Sequence, residues 1–373
     1  MDKFNYNRDL TLAAFSRIDE YTDSFEFIRD VKSELLFGDM TIAKNPWLSV
    51  VIPTYRRGTL FGEALRSALA QETVTFSWEI VVVDNTPLDE NGSTHGLRLV
   101  RELNDARVLY YHNRENIGSG YNWNRGVELA RGKWVFFLHD DDILLPHALE
   151  HVERLLCAYH GKRQLGYLHA RRVEFSDGEI IDPAVEARRY PIERLSRFGV
   201  LIGGCTGAGA PTCGTAILRQ AYLETGGINY DFGPSADAAL CYQIMRDYEV
   251  ITSDRVLGGY RWGKNETLKK ESLLRMITAD ELLSRYTYEQ TRFSCLWGTL
   301  FGAASSWRNI WQKKRIASRY GIEITETELG TASAYPKPGW LNRTFFLGFY
   351  AFYRFCRLVA GLFRELGCET KLR

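Results

Sequence analysis

Between residues 47 and 146 four runs of apolar, β-favouring residues alternate with three amphipathic helical segments, and this alternation limits the fold more than any other feature of the chain. The runs are WLSVVIPTY (47–55), EIVVVDN (79–85), RVLYYH (107–112) and KWVFFLH (133–139). Between them lie GTLFGEALRSALA (58–70), HGLRLVREL (95–103) and GYNWNRGVELARG (120–132). Strands this continuously apolar have no face for water, so they belong to a parallel sheet covered by helices on both sides. Open sheets of that kind place ligands outside the carboxyl ends of their strands.

The fourth strand runs into an unusual end. VFFLHDDDILLP (135–146) passes from four large apolar residues to three adjacent carboxylates, Asp140, Asp141 and Asp142, and back to apolar residues. Crowded carboxylates push one another's pKa up unless a positive charge sits among them, and a divalent cation is one such charge. The plainer alternative is a solvated acidic turn, with Asp142 capping a helix that Pro146 begins.

The remaining text divides the 373 residues into three parts. Residues 1–45 carry Leu10, Leu12, Phe15, Ile18, Tyr21, Phe25, Ile28, Val31 and Leu35 at three- and four-residue steps, which predicts a helical extension. Residues 46–265 form the α/β domain, with a ligand-binding half at 46–146 and a second half at 147–265. In that second half the helical PHALEHVERLLCAYH and ALCYQIMRDY alternate with LGYLHARRVEF, AIL, EVITS and RVLGGYRW, strands of a mixed region. Residues 266–373 read as helices, with one loop around ETELGTASAYPKPGW.

Composition rules out several classes. With 45% hydrophobic and 25% charged residues the chain can bury a sizeable core, and a net charge of +1 argues against nucleic-acid binding. The seven cysteines form no C-x-x-C pair and resemble reduced thiols of a cytosolic protein. MDKFNYNRDL lacks an apolar h-region, so no secretory leader is expected, and no apolar run reaches 18 residues. The basic charge gathers late: residues 301–373 hold 12 Lys and Arg against 5 Asp and Glu.

VVIPTYRR, VVVDN, NIGSGYNWNRGVELARGKW and HDDD stand in this order at or before strand ends. Over roughly residues 47–265 the chain thereby resembles the family 2 glycosyltransferases, inverting enzymes of the Rossmann-like GT-A fold that transfer a sugar from a nucleoside diphosphate. The resemblance rests on the order of several motifs, each weak alone. It implies that Pro53, Thr54 and Tyr55 line the base and ribose and that Asp84 and Asn85 meet the base, a uracil or thymine. It further implies Gly118 and Asn124 beside the nucleotide, Arg125 toward the diphosphate and Asp140 toward the ribose. Asp141 and Asp142 would hold Mg²⁺ or Mn²⁺, hard cations suited to oxygen ligands, although His139 stands where the family's common pattern has its first Asp. The base that takes the acceptor's proton maps to Asp237 in GGINYDFGPSADAALCYQIM, with Asp231 as fallback and Ala236 in place of the family's usual Glu. Asp237 as a helix cap is the structural alternative. Arg261 and Lys264 of YRWGKNETL fall in the loop that closes over the diphosphate, which here lacks the metal-binding His some members carry. The Gly-rich GAGAPTCGT lacks the G-K-[ST] ending of a P-loop and maps beside the donor sugar.

Two rivals are carried forward. His147, Glu150 and His151 match H-x-x-E-H, the pattern of a zinc peptidase helix. Ala236 and the missing late His also suit a GT-A-like module that binds a nucleotide or glycan without turnover. The aromatic tail WLNRTFFLGFYAFYRFCRLVAGLF (340–363), with the basic WQKKRIASR (311–319), suits either an anionic membrane interface or a packed helix or dimer contact. The expected acceptor is then a growing surface polysaccharide or its lipid-linked precursor, met at the cytoplasmic face of the inner membrane. Oligomeric state is left open.

Overall fold

The computed structural model describes residues 9–42, 44–179, 181, 192–195, 214–263, 268–290 and 302–333, with isolated positions between 340 and 351. Lys264 and most of the Gly-rich segment lie outside these residues. The chain separates into two compact units: residues 17–194 and 210–265 with the first nine residues, and residues 10–16, 195–209 and 266–373.

The first unit is built on a mixed sheet. Its strands are β1 (Ser33–Phe37), β2 (Leu48–Thr54), β3 (Trp78–Asp84), β4 (Val108–Asn113), β5 (Trp134–Phe137), β6 (Ile143–Leu144), β7 (Leu165–Ser176), β8 (Ile192–Leu195), β9 (Thr215–Leu218) and β10 (Glu249–Trp262). They lie in the order β1-β4-β3-β2-β5-β9-β7-β10-β6, with β8 against β10. β4, β3, β2 and β5 are parallel, as their apolar character requires, and β2 and β3 are buried along their whole length. β9 runs antiparallel to both β5 and β7, while β10 follows β7 in parallel as one strand across EVITS and RVLGGYRW. Strand order reverses between β2 and β5, which creates the crevice where such sheets bind ligands.

Helices α2 (Thr59–Leu69), α3 (His95–Leu103) and α4 (Ser119–Leu129) fill the crossovers; α5 (Ala148–Ala158), α6 (Arg219–Glu224) and α7 (Ala236–Asp247) belong to the second half of this unit. Helix α4 lies close on the sheet because Gly126 faces it: a Cβ there would overlap Val51 Cγ1. Gly132 likewise passes the β2 backbone where a Cβ would come within 2.5 Å of the Ser49 nitrogen.

The N-terminal segment corrects the helical reading of residues 1–45. Among the described residues of this stretch only α1 (Leu12–Ser16) is α-helical; Glu26–Ile28 is a single 3-10 turn, and β1 pairs antiparallel with β4 at the sheet edge. The three- and four-residue spacing came from packing: Ile28 and Val31 are buried against Ile117, Tyr121 and Tyr230. Apolar spacing alone does not distinguish a helix from irregular chain pinned at a few points.

The second unit contains α1 with α8 (Lys270–Glu289), α9 (Ala303–Arg319) and α10 (Glu326–Ala332). Buried Glu281 of α8 accepts hydrogen bonds from Ser306 and, at 2.8 Å, from Ser333. Helix α10 occupies part of the stretch read as a loop. Thr325 and Glu328 form a capping box at its start, so ITETEL is a helix beginning and not a turn.

Candidate functional site

The site lies at the carboxyl ends of β2, β3 and β5, where the ladder between β2 and β5 stops at Val51 and Phe137. Beyond that pair Pro53 forfeits no hydrogen bond toward β5, which explains a proline inside a buried strand. The chain leaving β5 turns at residues 139–142, with the Asp142 N–H donating to the His139 carbonyl at 3.2 Å. This turn is not the start of a helix: α5 begins at Ala148, and its flanking residue is His147. The capping reading of Asp142 is therefore set aside.

All three carboxylates are buried. Asp140 accepts from the Tyr55 N–H at 3.2 Å, and the Arg57 guanidinium spans the pair, 3.3 Å from Asp140 Oδ1 and 3.3 Å from Asp141 Oδ2. Burial, and next the neighbouring Asp141, pushes the Asp140 carboxyl up to about 7 against the opposing pull of Arg57 and hydrogen bonds from Thr54 and Tyr55. Asp142 is fully buried; its Oδ1 accepts from the Arg261 N–H at 2.9 Å, and its Oδ2 lies 3.4 Å from His139 Nδ1. The His139 ring lies against Trp123 of α4 at a centroid distance of 5.0 Å. Burial holds this imidazole down at about 4 although Asp141 pulls the other way, with Arg172 and Arg57 reinforcing the drop. It is thus neutral at pH 7.

His139, Asp141 and Asp142 each offer a ligand atom, and these atoms all lie within 4.8 Å of one another. Among the described residues this is the group of ligand-type side chains compact enough to hold a metal ion. One nitrogen and two carboxylate oxygens suit a first-row divalent ion, with the remaining positions left to water and phosphate oxygens.

On the nucleotide side, Thr54 is buried and Tyr55 is 39% exposed at the strand end. Asp84 accepts from the Thr86 N–H at 2.7 Å and from the Tyr110 hydroxyl, whose pKa burial and the Asp84 charge drive far up. Asn85 accepts from Asn113 Nδ2 at 2.8 Å, and its own amide points at the Gly118 carbonyl, 3.4 Å away. Gly118, at φ 79, precedes α4 in a conformation that other residues rarely adopt.

Three of the expected nucleotide contacts have structural work instead. Asn124 is fully buried; it accepts from the Tyr222 hydroxyl at 2.6 Å and the Ile228 N–H at 2.8 Å, and donates to the Ile228 carbonyl at 3.0 Å. Arg125 donates to the Ile28 and Val31 carbonyls at 2.5 and 2.7 Å and pairs with Glu128, so it clamps the N-terminal segment and does not reach toward a diphosphate. The Arg261 guanidinium pairs with Asp177 at 2.6 Å and with Glu63, and its Nε donates to the Asp141 carbonyl at 2.8 Å. It braces the carboxylate turn from behind.

Asp237 is partly buried in the first turn of α7, with Oδ1 accepting from the Ala238 N–H at 2.7 Å; the N-cap position belongs to Ser235. Asp231 sits in the preceding 3-10 turn, where its N–H donates to Asn229 Oδ1 at 2.9 Å. This whole segment is fastened to α4 through Asn124 and through the Gly120 N–H, which donates to the Tyr230 hydroxyl at 2.7 Å.

The H-x-x-E-H helix does not form a zinc site. His151 Nε2 faces the Arg255 guanidinium, and burial together with that cation lowers the imidazole to about 4. Glu150 is taken by Thr73 and Arg154. Sequence reasoning missed Arg57, Trp123, Glu63 and Asp177. Arg57, the second arginine of TYRR, was within reach of inference, since it follows the end of β2 by three residues. The other three are brought in by α2, α4 and the end of β7, and no local signal marks them.

Residues 49–210 match the family described as Glycosyl transferase family 2. A Rickettsia felis protein named as an uncharacterized glycosyltransferase is 29% identical over 236 residues, covering 61% of this chain and 36% of that protein. The succinoglycan biosynthesis protein ExoO of Rhizobium meliloti is 36% identical over 108 residues, 29% of each chain. The chain thus spans about a third of the length of these curated relatives. Among solved structures, residues 1–349 of Staphylococcus aureus TarS superpose with a TM-score of 0.51 at 14% identity, covering 75% of this chain and 76% of that one, a likeness of fold.

Proposed function

We propose, from the premise that this chain is a member of glycosyl transferase family 2 built on a GT-A fold, that it moves a sugar from a nucleoside diphosphate to a hydroxyl of a glycan with inversion at the anomeric carbon. The observation that carries this reading is the group formed by His139, Asp141 and Asp142 at the crevice between β2 and β5, inside the segment that matches the family.

In this reading the base of a UDP- or dTDP-sugar lies over Thr54 and Tyr55 and meets Asp84 and Asn85, whose amide and carboxylate can hydrogen-bond an imide edge. Gly118 lets the α4 N-terminus approach the nucleotide closely, and Asp140 turns toward the ribose. Asp141 and Asp142 hold Mg²⁺ or Mn²⁺, which when bound neutralises charge on the departing nucleoside diphosphate. Among the described residues Arg57 is placed to share that task, being 3.3 Å from two of the carboxylates already. Asp237 takes the proton from the acceptor hydroxyl as its oxygen bonds the anomeric carbon, and the C–O bond to the diphosphate breaks on the opposite side.

The name of the succinoglycan biosynthesis relative favours a polysaccharide-type acceptor, free or lipid-linked. No helix among the described residues is long and apolar enough to cross a membrane. Attachment to the cytoplasmic face of the inner membrane would then rest on the basic α9 and on exposed aromatics such as Trp311 and Trp340.

Calorimetric titration with UDP and dTDP, each with and without Mn²⁺, tests the reading. Metal-dependent binding of one nucleotide is expected and identifies the base. Binding of neither would overturn the uracil or thymine donor. Metal-dependent binding without hydrolysis or transfer of any matching nucleotide-sugar would instead favour a binding module, the alternative suggested by Ala236.

A further inference from the structure

The residue that departs from the family's common pattern at the end of β5 is a histidine, and it is held as a ligand would be. His139 Nδ1 lies 3.4 Å from Asp142 Oδ2, longer than an ordinary N–H···O hydrogen bond. Two ligand atoms about 2.1 Å from one ion stand about 3 Å apart at a right angle and about 4.2 Å apart when opposed. The ligand atoms of His139, Asp141 and Asp142, all within 4.8 Å of one another, therefore close onto one ion with an adjustment of side chains.

The supports around the three residues are those of a built site. Trp123 fixes the plane of the imidazole. Arg261 fixes Asp142 through its backbone N–H and Asp141 through the peptide carbonyl, at 2.9 and 2.8 Å. Glu63, Asp177 and the Phe175 ring, 4.6 Å from the guanidinium, hold Arg261 in turn. Outer contacts of this kind orient metal ligands and set affinity.

We infer that His139 is a nitrogen ligand of the donor-site cation and makes this site select Mn²⁺ over Mg²⁺. The inference rests on the metal reading of Asp141 and Asp142 above. Its chemistry is general: Mg²⁺ demands oxygen ligands and sheds water reluctantly, whereas first-row transition ions accept imidazole readily. A carboxylate at position 139 would give an all-oxygen set that both ions tolerate.

The test uses the full chain, alone and with UDP. Mn²⁺ and Mg²⁺ affinities are measured by calorimetry, and electron spin-echo spectra of the Mn²⁺ complex are recorded with natural and ¹⁵N-labelled histidine. Wild type is expected to bind Mn²⁺ at least about tenfold more tightly than Mg²⁺, the scale on which ligand-shell changes act, and to give a histidine-nitrogen coupling. His139→Asp should keep Mn²⁺ binding, lose the coupling and narrow the preference; His139→Asn, closer in shape to a neutral ring, serves if the aspartate disturbs folding. Mn²⁺ bound with no histidine coupling, or with coupling that survives in both variants, would overturn the inference and leave the carboxylate site standing. No Mn²⁺ bound with or without UDP would instead overturn the metal reading itself.

Discussion

At the scale of single residues, the proposed chemistry and the scaffolding fall to similar side chains at the ends of neighbouring elements. Asp237 is half-buried in the first turn of α7, and its replacement tests the proposed role directly. Asp237→Asn should lower turnover by about 10² to 10⁴, the usual contribution of a general base, while calorimetry finds nucleotide binding little changed. Loss of binding would make Asp237 structural. Arg125 is the converse case. Its guanidinium satisfies two buried carbonyls of the N-terminal segment, and stranding a buried acceptor costs about 1–3 kcal/mol. Arg125→Ala should lower stability to urea on that scale with UDP affinity unaltered. A fall in UDP affinity at full stability would restore the diphosphate role.

At the scale of elements, close approach of helix and strand sets the site. Gly126→Val would drive a branched side chain of α4 into Val51 of β2, and overpacking of this kind costs typically about 1–3 kcal/mol. Thermal unfolding should register the loss, and Trp123, which lies against His139, and Gly118 at the start of α4 would move with the helix, so metal and nucleotide affinity should fall too. Strand β7 gives a pH dependence. His169 is buried between β9 and its neighbours, 3.5 Å from Thr215 Oγ1, and burial, assisted by Arg172, holds it down at about 3. An unfolded histidine takes its proton near 6.5. Between those values the unfolded chain binds the extra proton, so stability is complete above about pH 6.5 and falls as pH drops toward 3, by at most about 1.4 kcal/mol per unit from this group. Urea titrations at pH 7, 6 and 5 should show that slope, and His169→Gln should flatten it. An unchanged slope would assign the acid sensitivity to other groups.

At the scale of the whole chain, charge is distributed unevenly: residues 301–373 carry 12 Lys and Arg against 5 Asp and Glu in a protein of net charge +1. Anionic vesicles attract such a segment by about 1 kcal/mol per basic residue near the surface, and salt screens the attraction. The full chain should therefore sediment with phosphatidylserine-containing vesicles at low salt, less so at high salt, and not with neutral ones. Absence of sedimentation under every condition would remove the membrane from the proposed function and leave a soluble glycan as acceptor.

What the sequence determined by itself is what local pattern can encode. Four apolar runs specified buried parallel strands, the interleaved amphipathic segments specified their crossover helices, and three adjacent aspartates at a strand end marked the crevice, because burial on both faces and crowded charge are properties of neighbours along the chain. Periodicity failed where a few anchors pinned irregular chain: Ile28 and Val31 recur like a helix and belong to a turn on the way to an edge strand. Only the tertiary structure decided which polar residues face a ligand and which hold the fold. Asn124, Arg125 and Arg261 look like ligand contacts in order along the chain, yet their partners lie 119 to 94 residues away in sequence, at Asp142, Ile228, Ile28 and Val31. A side chain's role follows from the groups it must satisfy once desolvated, and those groups are brought to it by folding.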